Sequence, residues 1–338
     1  AHGVITDPRD QAEALAALPQ DMPALCGVVQ GLLLHPLLTD LYKVDLTAVQ
    51  RKEVSIRPAA DILRLARKLD NRPLDVARPP AERVVGNCRD HAVLLAAILR
   101  QQGRAARVRA GFAYYLGADM VHDHWICEVW QPEDGRWRQV DAQIDAVQRE
   151  AMKIGFDPSD LPAGQFLSAG QVWGLCRAGK AKSGTFGLHR KLRGVNFIRN
   201  SVLLDLAALN KIELLPTDHW WDLCAKDDKD LSAEERALID RVAALAADPD
   251  AALEDLRLAF ENDPRLSSVV QTRLKLLGLA GEEQRPAAAV NAARPALKVQ
   301  PSDRERLMGL SKGGGPATRR AAAPMDNGSG YAAQAGDV

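Results

Sequence analysis

Between residues 86 and 141 the hydrophobic pattern changes period, and that change limits the folds open to the chain. After Gly86-Asn87, the apolar residues Ala92, Leu95, Ile98 and Leu99 recur at helical spacing and stop at Gly103, a glycine being common just past a helix end. Alternation of apolar and polar residues then takes over in 108–115, 125–130 and 137–140, with Glu133-Asp-Gly135 as a hairpin turn between the last two. A helix followed by short antiparallel strands predicts an α+β fold. Aromatic residues make up only 5% of the chain, yet Phe112, Tyr114, Tyr115, Trp125, Trp130 and Trp137 all fall within these strands or at their ends.

The flanking regions read as helices. Helical spacing covers 10–17, 22–34, 45–51 and 59–69, so residues 1–80 are expected to form a helical region packed on the core. Residues 81–225 hold that core and its extension. A capping box, Ser232-x-x-Glu235, opens a small helical appendage over 226–280, continued by helical spacing over 251–260 and 266–277 and ending at Gly278. Residues 281–338 are rich in Ala, Gly and Pro and contain a single aromatic, Tyr331, so they are expected to be a flexible tail. Within it, Ser302-x-x-Glu305 suits a short helix around 302–310.

Charge and cysteine usage exclude several classes. Forty-four Lys and Arg balance 44 Asp and Glu, which removes the electrostatic case for a nucleic-acid binder or a polybasic membrane-surface protein. The apolar stretch 31–38 is too short for a bilayer and is broken by His35 and Pro36. Five cysteines without a C-x-x-C pair give neither a disulfide framework nor a zinc knuckle, and point to a reducing, cytoplasmic setting. No cofactor is implied, and composition says nothing of oligomeric state.

One of those cysteines is placed for chemistry. Cys88 falls in a first helical turn, where unpaired backbone N–H groups and the positive end of the dipole favour a thiolate, and Arg89 adds a positive charge. A nucleophilic thiol needs a base, and the base an orienting group. His124 on the next but one segment and Asp141 beyond the hairpin can lie side by side on neighbouring strands. The order Cys, His, Asp on helix, strand and strand is the layout of a papain-like cysteine site.

These stretches resemble the transglutaminase-like core: Gly86-Asn-Cys88-Arg-Asp90-His through Gly103-Arg-Ala-Ala-Arg107, His124-Trp-Ile-Cys-Glu128-Val-Trp130, and Gly135-Arg-Trp137-Arg-Gln-Val-Asp141. The resemblance implies a papain-like α+β fold in which a helix bearing the cysteine packs on an antiparallel sheet. It implies Cys88 as acyl-accepting nucleophile, His124 as its base and acid, and Asp141 as the group that orients His124. Asp90 matches an acidic position and is read as structural. Two residues depart from the family pattern: Trp125 stands where a small residue is usual, and Ala142 where a Pro often follows. The activity implied is acyl transfer or hydrolysis of an amide or ester, in a peptide or a small molecule, with hydrolysis favoured. The alternative is a non-catalytic module that recognises a peptide or partner protein.

Weaker candidates surround this set. Trp125, Arg199 and Trp220 are candidate substrate-binding residues, with Asp205 and Trp221 as further candidates for the walls of a cleft; the competing reading is that the aromatics pack the extension onto the core. His122 and His124 project to one face of a strand and would suit a metal pair, but no Cys or His at ligand spacing completes a zinc site. His91 is read as packing or hydrogen bonding, Cys127 as a core or opposite-face thiol, and Cys26, Cys176 and Cys224 as buried.

Overall fold

In a computed structural model, which describes residues 1–279, the chain is α+β with a mixed sheet. In chain order the elements are α1 (Ala12–Ala16), α2 (Met22–Leu32), β1 (Leu33–Leu34), α3 (Ala59–Leu69), β2 (Val84–Val85), α4 (Cys88–Gln101), β3 (Ala106–Ala113), β4 (Val121–Gln131), β5 (Arg136–Val140), α5 (Ala146–Met152), β6 (Phe166–Ser168), α6 (Ala169–Arg177), β7 (Phe186–His189), β8 (Leu192–Arg193), α7 (Val195–Leu209), α8 (Asp222–Ala225), α9 (Ala233–Ala247), α10 (Pro249–Asn262) and α11 (Pro264–Leu276). The expected tail over 281–338, with its short helix around 302–310, lies outside the described residues. Among the described residues no helix is long and apolar enough to cross a membrane.

Two N-terminal expectations change for local reasons. The helix expected over 22–34 stops at Leu32, because Leu33 and Leu34 pair in parallel with Val84 and Val85. The helix expected over 45–51 is replaced by turns and a 3-10 stretch, Gln50–Ser55. There Thr47 and Gln50 bond each other's backbone N–H, a local alternative that competes with the helix ladder.

Helix α4 is the central element. Its residues Cys88 and 92–99 enter one continuous apolar core with α2, α3, β3, β4, α7 and the helices of the appendage. It ends at Gly103, whose φ of 77° is the left-handed value that glycine adopts without a Cβ penalty. The larger sheet runs β6-β3-β4-β7-β8, with β5 also paired to β4. Its β3–β4–β5 part is antiparallel, but β7 lies parallel to β4, so the sheet is mixed rather than purely antiparallel. The reason is connectivity: the chain reaches β7 through α6, and a crossover of that kind returns a strand in parallel.

One edge of β4 is interrupted. Val121 and His122 pair with β7, and Cys127 through Gln131 pair with β5, so residues 123–126 have no strand partner on that side. His124 sits in this interruption. Across β3, its partner Gly111 also pairs with Ser168 of β6, and a Cβ on Gly111 would meet the Leu167 carbonyl at 2.2 Å, so only glycine allows the close approach.

Candidate active site

The N-terminus of α4 is fixed before any chemistry is considered. Asn87 accepts from the Asp90 N–H at 3.3 Å, and the Asn87 N–H donates to Asp90 Oδ2 at 2.8 Å, a reciprocal capping box. Arg89 is fully buried and is spent on Asp90 (2.8 Å) and on the Arg57 and Glu213 carbonyls. Its bonds therefore go to the cap and the neighbouring carbonyls.

The structure brings Cys88, His124 and Asp141 together. His124 Nε2 donates to Asp141 Oδ2 at 2.7 Å, and the Cys88 thiol lies close enough to the His124 ring for the two to shift each other's protonation. The Trp125 backbone N–H, in the open edge of β4, also donates to the Cys88 sulfur. Asp141 is held on both oxygens: Oδ2 also accepts from Tyr115 Oη at 2.7 Å, and Oδ1 from the Gln143 N–H at 3.0 Å. The Tyr115 ring stands edge-on to both His124 (6.1 Å) and Phe156 (5.4 Å), so its aromatic contacts and its hydroxyl fix one geometry.

Electrostatics set the protonation states. Burial opposes a charge on His124, but the Asp141 carboxylate and its hydrogen bond outweigh that and hold the imidazole up to about 10. Burial would raise Asp141, yet the facing His124 and the bonds from His124, Tyr115 and Gln143 keep it below its ordinary value. Cys88 is only 8% exposed, and burial raises its thiol above the ordinary value, although the bonds from His124 and Trp125 act in the opposite direction. Burial thus works against the thiolate that the helix start favours. Burial favours the proton on the Cys88 thiol and Asp141 favours it on the His124 imidazole, so the two groups compete for it as a pair.

The remaining thiols differ in setting. Cys26 and Cys127 are buried, with burial pushing Cys127 up to about 12 and Cys26 higher still. Cys176 and Cys224 are half-buried rather than buried, and Cys224 donates to Asn200 Oδ1 at 3.0 Å. Of the five cysteines, Cys88 is the one coupled to a histidine.

The candidate substrate residues scatter. Trp125 is buried in the core, and its indole N–H has no partner among the described residues. Arg199 on α7 is buried against the Lys226 carbonyl, 3.8 Å from Asp228. Trp220 lies under the Arg57 guanidinium at 5.2 Å, while Trp221 is buried and donates to the Leu266 carbonyl at 2.9 Å. Asp205 chelates Arg109. No hydrogen bond, ion pair or ring contact of Arg199, Asp205, Trp220 or Trp221 among the described residues reaches Cys88, His124 or Asp141; these side chains join the extension and appendage to the core. His122 is buried beside Asp119 (3.8 Å), away from the bonds of His124, and no group of three or more His, Cys, Asp or Glu is gathered for a metal among the described residues. His91 bonds the Asn87 carbonyl through Nδ1 at 2.8 Å.

Sequence reasoning missed three residues at this site: Tyr115 and Gln143, which hold Asp141, and His35, which shares the electrostatic field of His124 and Asp141. Tyr115 left one trace, its place in the aromatic cluster. Gln143 acts through its backbone, and His35 is distant in the chain.

Residues 45–142 match the transglutaminase-like superfamily. The matched segment contains Cys88 and His124 and ends one residue past Asp141. Searches of curated proteins and of solved structures returned no match to the chain. The transglutaminase-like core is, at superfamily level, a scaffold for cysteine-based acyl transfer and hydrolysis. Here the match covers the helix that carries the thiol and the strands that carry its partners.

Proposed function

We propose that the protein is a cysteine-dependent acyl hydrolase or acyltransferase acting on an amide or ester through a thioester on Cys88. The observation that carries this reading is Cys88 at the N-terminus of α4, coupled to a His124 ring that is bonded to Asp141 at 2.7 Å. With the proton the pair shares on His124, the thiolate attacks the substrate carbonyl, the C–S bond forms and the carbonyl electrons move to oxygen. As the oxyanion collapses, the C–N or C–O bond breaks and the His124 imidazolium protonates the leaving group. The neutral imidazole then takes a proton from water, which attacks the thioester, releases the acid and restores the thiolate beside an imidazolium. Asp141 stays ionised throughout and holds the ring. Water is the favoured acceptor, because Cys88 and His124 are both nearly closed to solvent and water is the smallest nucleophile.

The reading is tested by intact-mass trapping of an acyl adduct from a mixed library of amides and activated esters. An adduct on Cys88, absent from Cys88→Ala, is expected; turnover of any library member by Cys88→Ala at the wild-type rate sinks the reading. A second reading, a non-catalytic module for a peptide or partner protein, is favoured by the buried, raised thiol itself. Iodoacetamide separates the two. A catalytic site gives Cys88-selective alkylation that is lost in His124→Ala, whereas a scaffold gives slow labelling without selectivity.

A further inference from the structure

The two-stranded parallel sheet of β1 and β2 ends at the active site. Leu33 pairs with Val84 and Leu34 with Val85, and the Gly86 N–H donates to the Leu34 carbonyl at 3.1 Å. The next residue on the first strand is His35; on the second, Asn87 and Cys88 follow. Strand pairing alone therefore carries His35 to the start of α4. Its ring interacts electrostatically with His91, His124 and Asp141.

The state of that ring follows from its bonds. Burial, reinforced by His91 and His124, pushes His35 down to about 3, so it is neutral. Its Nδ1 accepts from the Leu37 N–H at 3.2 Å, which leaves the ring proton on Nε2. His91 is the complement: burial pushes it down to about 4, its Nδ1 donates to the Asn87 carbonyl, and its Nε2 is an acceptor. Of these two neutral rings, only His35 has an N–H to offer, and no acceptor among the described residues takes it.

A tetrahedral intermediate at Cys88 needs donors. The Cys88 N–H, first in α4, has no carbonyl four residues back within the helix to accept it, so it supplies one. We propose that the Nε2–H of His35 supplies the second, so that the segment ahead of the matched core completes the oxyanion hole. This rests on the acyl-transfer reading. A neutral donor is well suited here, because it stabilises the oxyanion without adding a cation that would compete with His124 for the thiolate.

The probes are p-nitrophenyl acetate, whose reaction passes through an oxyanion, and iodoacetamide, whose reaction with a thiolate does not. In His35→Ala, acylation of Cys88 is expected to fall about 100-fold, the usual loss for one oxyanion donor, while alkylation stays within about twofold. His35→Gln, which keeps an N–H near the same place, is expected to regain at least about tenfold of the lost acylation. Acylation and alkylation falling together in both variants would make His35 a structural residue and overturn the proposal, as would unchanged acylation in His35→Ala. Failure of the wild type to form an acyl adduct would instead remove the acyl-transfer reading itself.

Discussion

Strands β3 and β4 carry two buried ionic clusters, and they are built to opposite ends. In one, Arg109 donates to both oxygens of Asp205 (3.0 and 2.8 Å), to Glu128 Oε2 (3.2 Å) and to the Ala246 carbonyl (2.7 Å). Glu128 also accepts from Arg107 and Gln139, and Asp205 from the Ala110 N–H. Both Glu128 oxygens and both Asp205 oxygens are engaged by donors. In the other, His124, four residues before Glu128 on the same strand, is paired with Asp141 and competes on its far side with the Cys88 thiol for a proton. The same low dielectric that locks the first cluster poises the second. What separates them is one group that can change its protonation.

The comparison breaks most visibly at Asp141. Asp141→Asn keeps the shape but removes the charge that holds His124 protonated, and turnover is expected to fall ~10⁴-fold. The alkaline limit of activity should move to lower pH at the same time. A loss below tenfold, measured as kcat on any trapped substrate, would show that Asp141 does not set the state of His124.

Arg109→Met tests the locked cluster. It leaves the Asp205 and Glu128 carboxylates buried without their cation, a change that costs about 3–5 kcal/mol and on the order of 10 °C in Tm. Activity per folded molecule should hold. Adding Asp205→Leu is expected to restore much of the stability, since two well-packed apolar groups replace a broken pair. If Arg109→Met instead lowered kcat at a temperature where the protein is fully folded, the two clusters would be coupled.

Much of the poised region was legible because its chemistry is carried by residue type and order. Cys88 after a glycine-asparagine cap, His124 opening an alternating segment and Asp141 beyond a hairpin are local signals, and the α+β class follows from the change of period. The residues that complete the surroundings are fixed by register instead. His35 reaches α4 only because Leu34 pairs with Val85, and Tyr115 reaches Asp141 from the end of β3. The parallel placement of β7 rests on two paired residues, too few to leave a pattern. Desolvation of the thiol was also hidden, because it depends on how tightly α4 and β4 close around Cys88.

The pH profile sharpens the contrast next. His124 is raised in the folded state from 6.5 to about 10, so its contribution to stability is complete below about 6.5 and is lost as pH rises through about 10. The alkaline limb of kcat/KM is therefore expected near 10, with the acid limb set by loss of the Cys88 thiol proton. An alkaline limb near 6.5 would mean that His124 is not paired with Asp141 in solution.

Tyr115→Phe gives the smallest expected effect and the most specific one. The phenylalanine keeps the edge-on contacts to His124 and Phe156 and loses only the bond to Asp141 Oδ2. That bond stabilises the carboxylate and draws its charge away from His124, so removing it should move the alkaline limb upward. Turnover should fall about tenfold or less, in line with one lost hydrogen bond to a charged group, which is worth about 1.5–3 kcal/mol before the ring contacts compensate. A downward shift of the limb would mean that Tyr115 acts by holding Asp141 in place rather than by sharing its charge. An unmoved limb with unchanged kcat would mean that the Gln143 N–H and the His124 ring hold Asp141 without it, as Glu128 and Asp205 are each held from several sides.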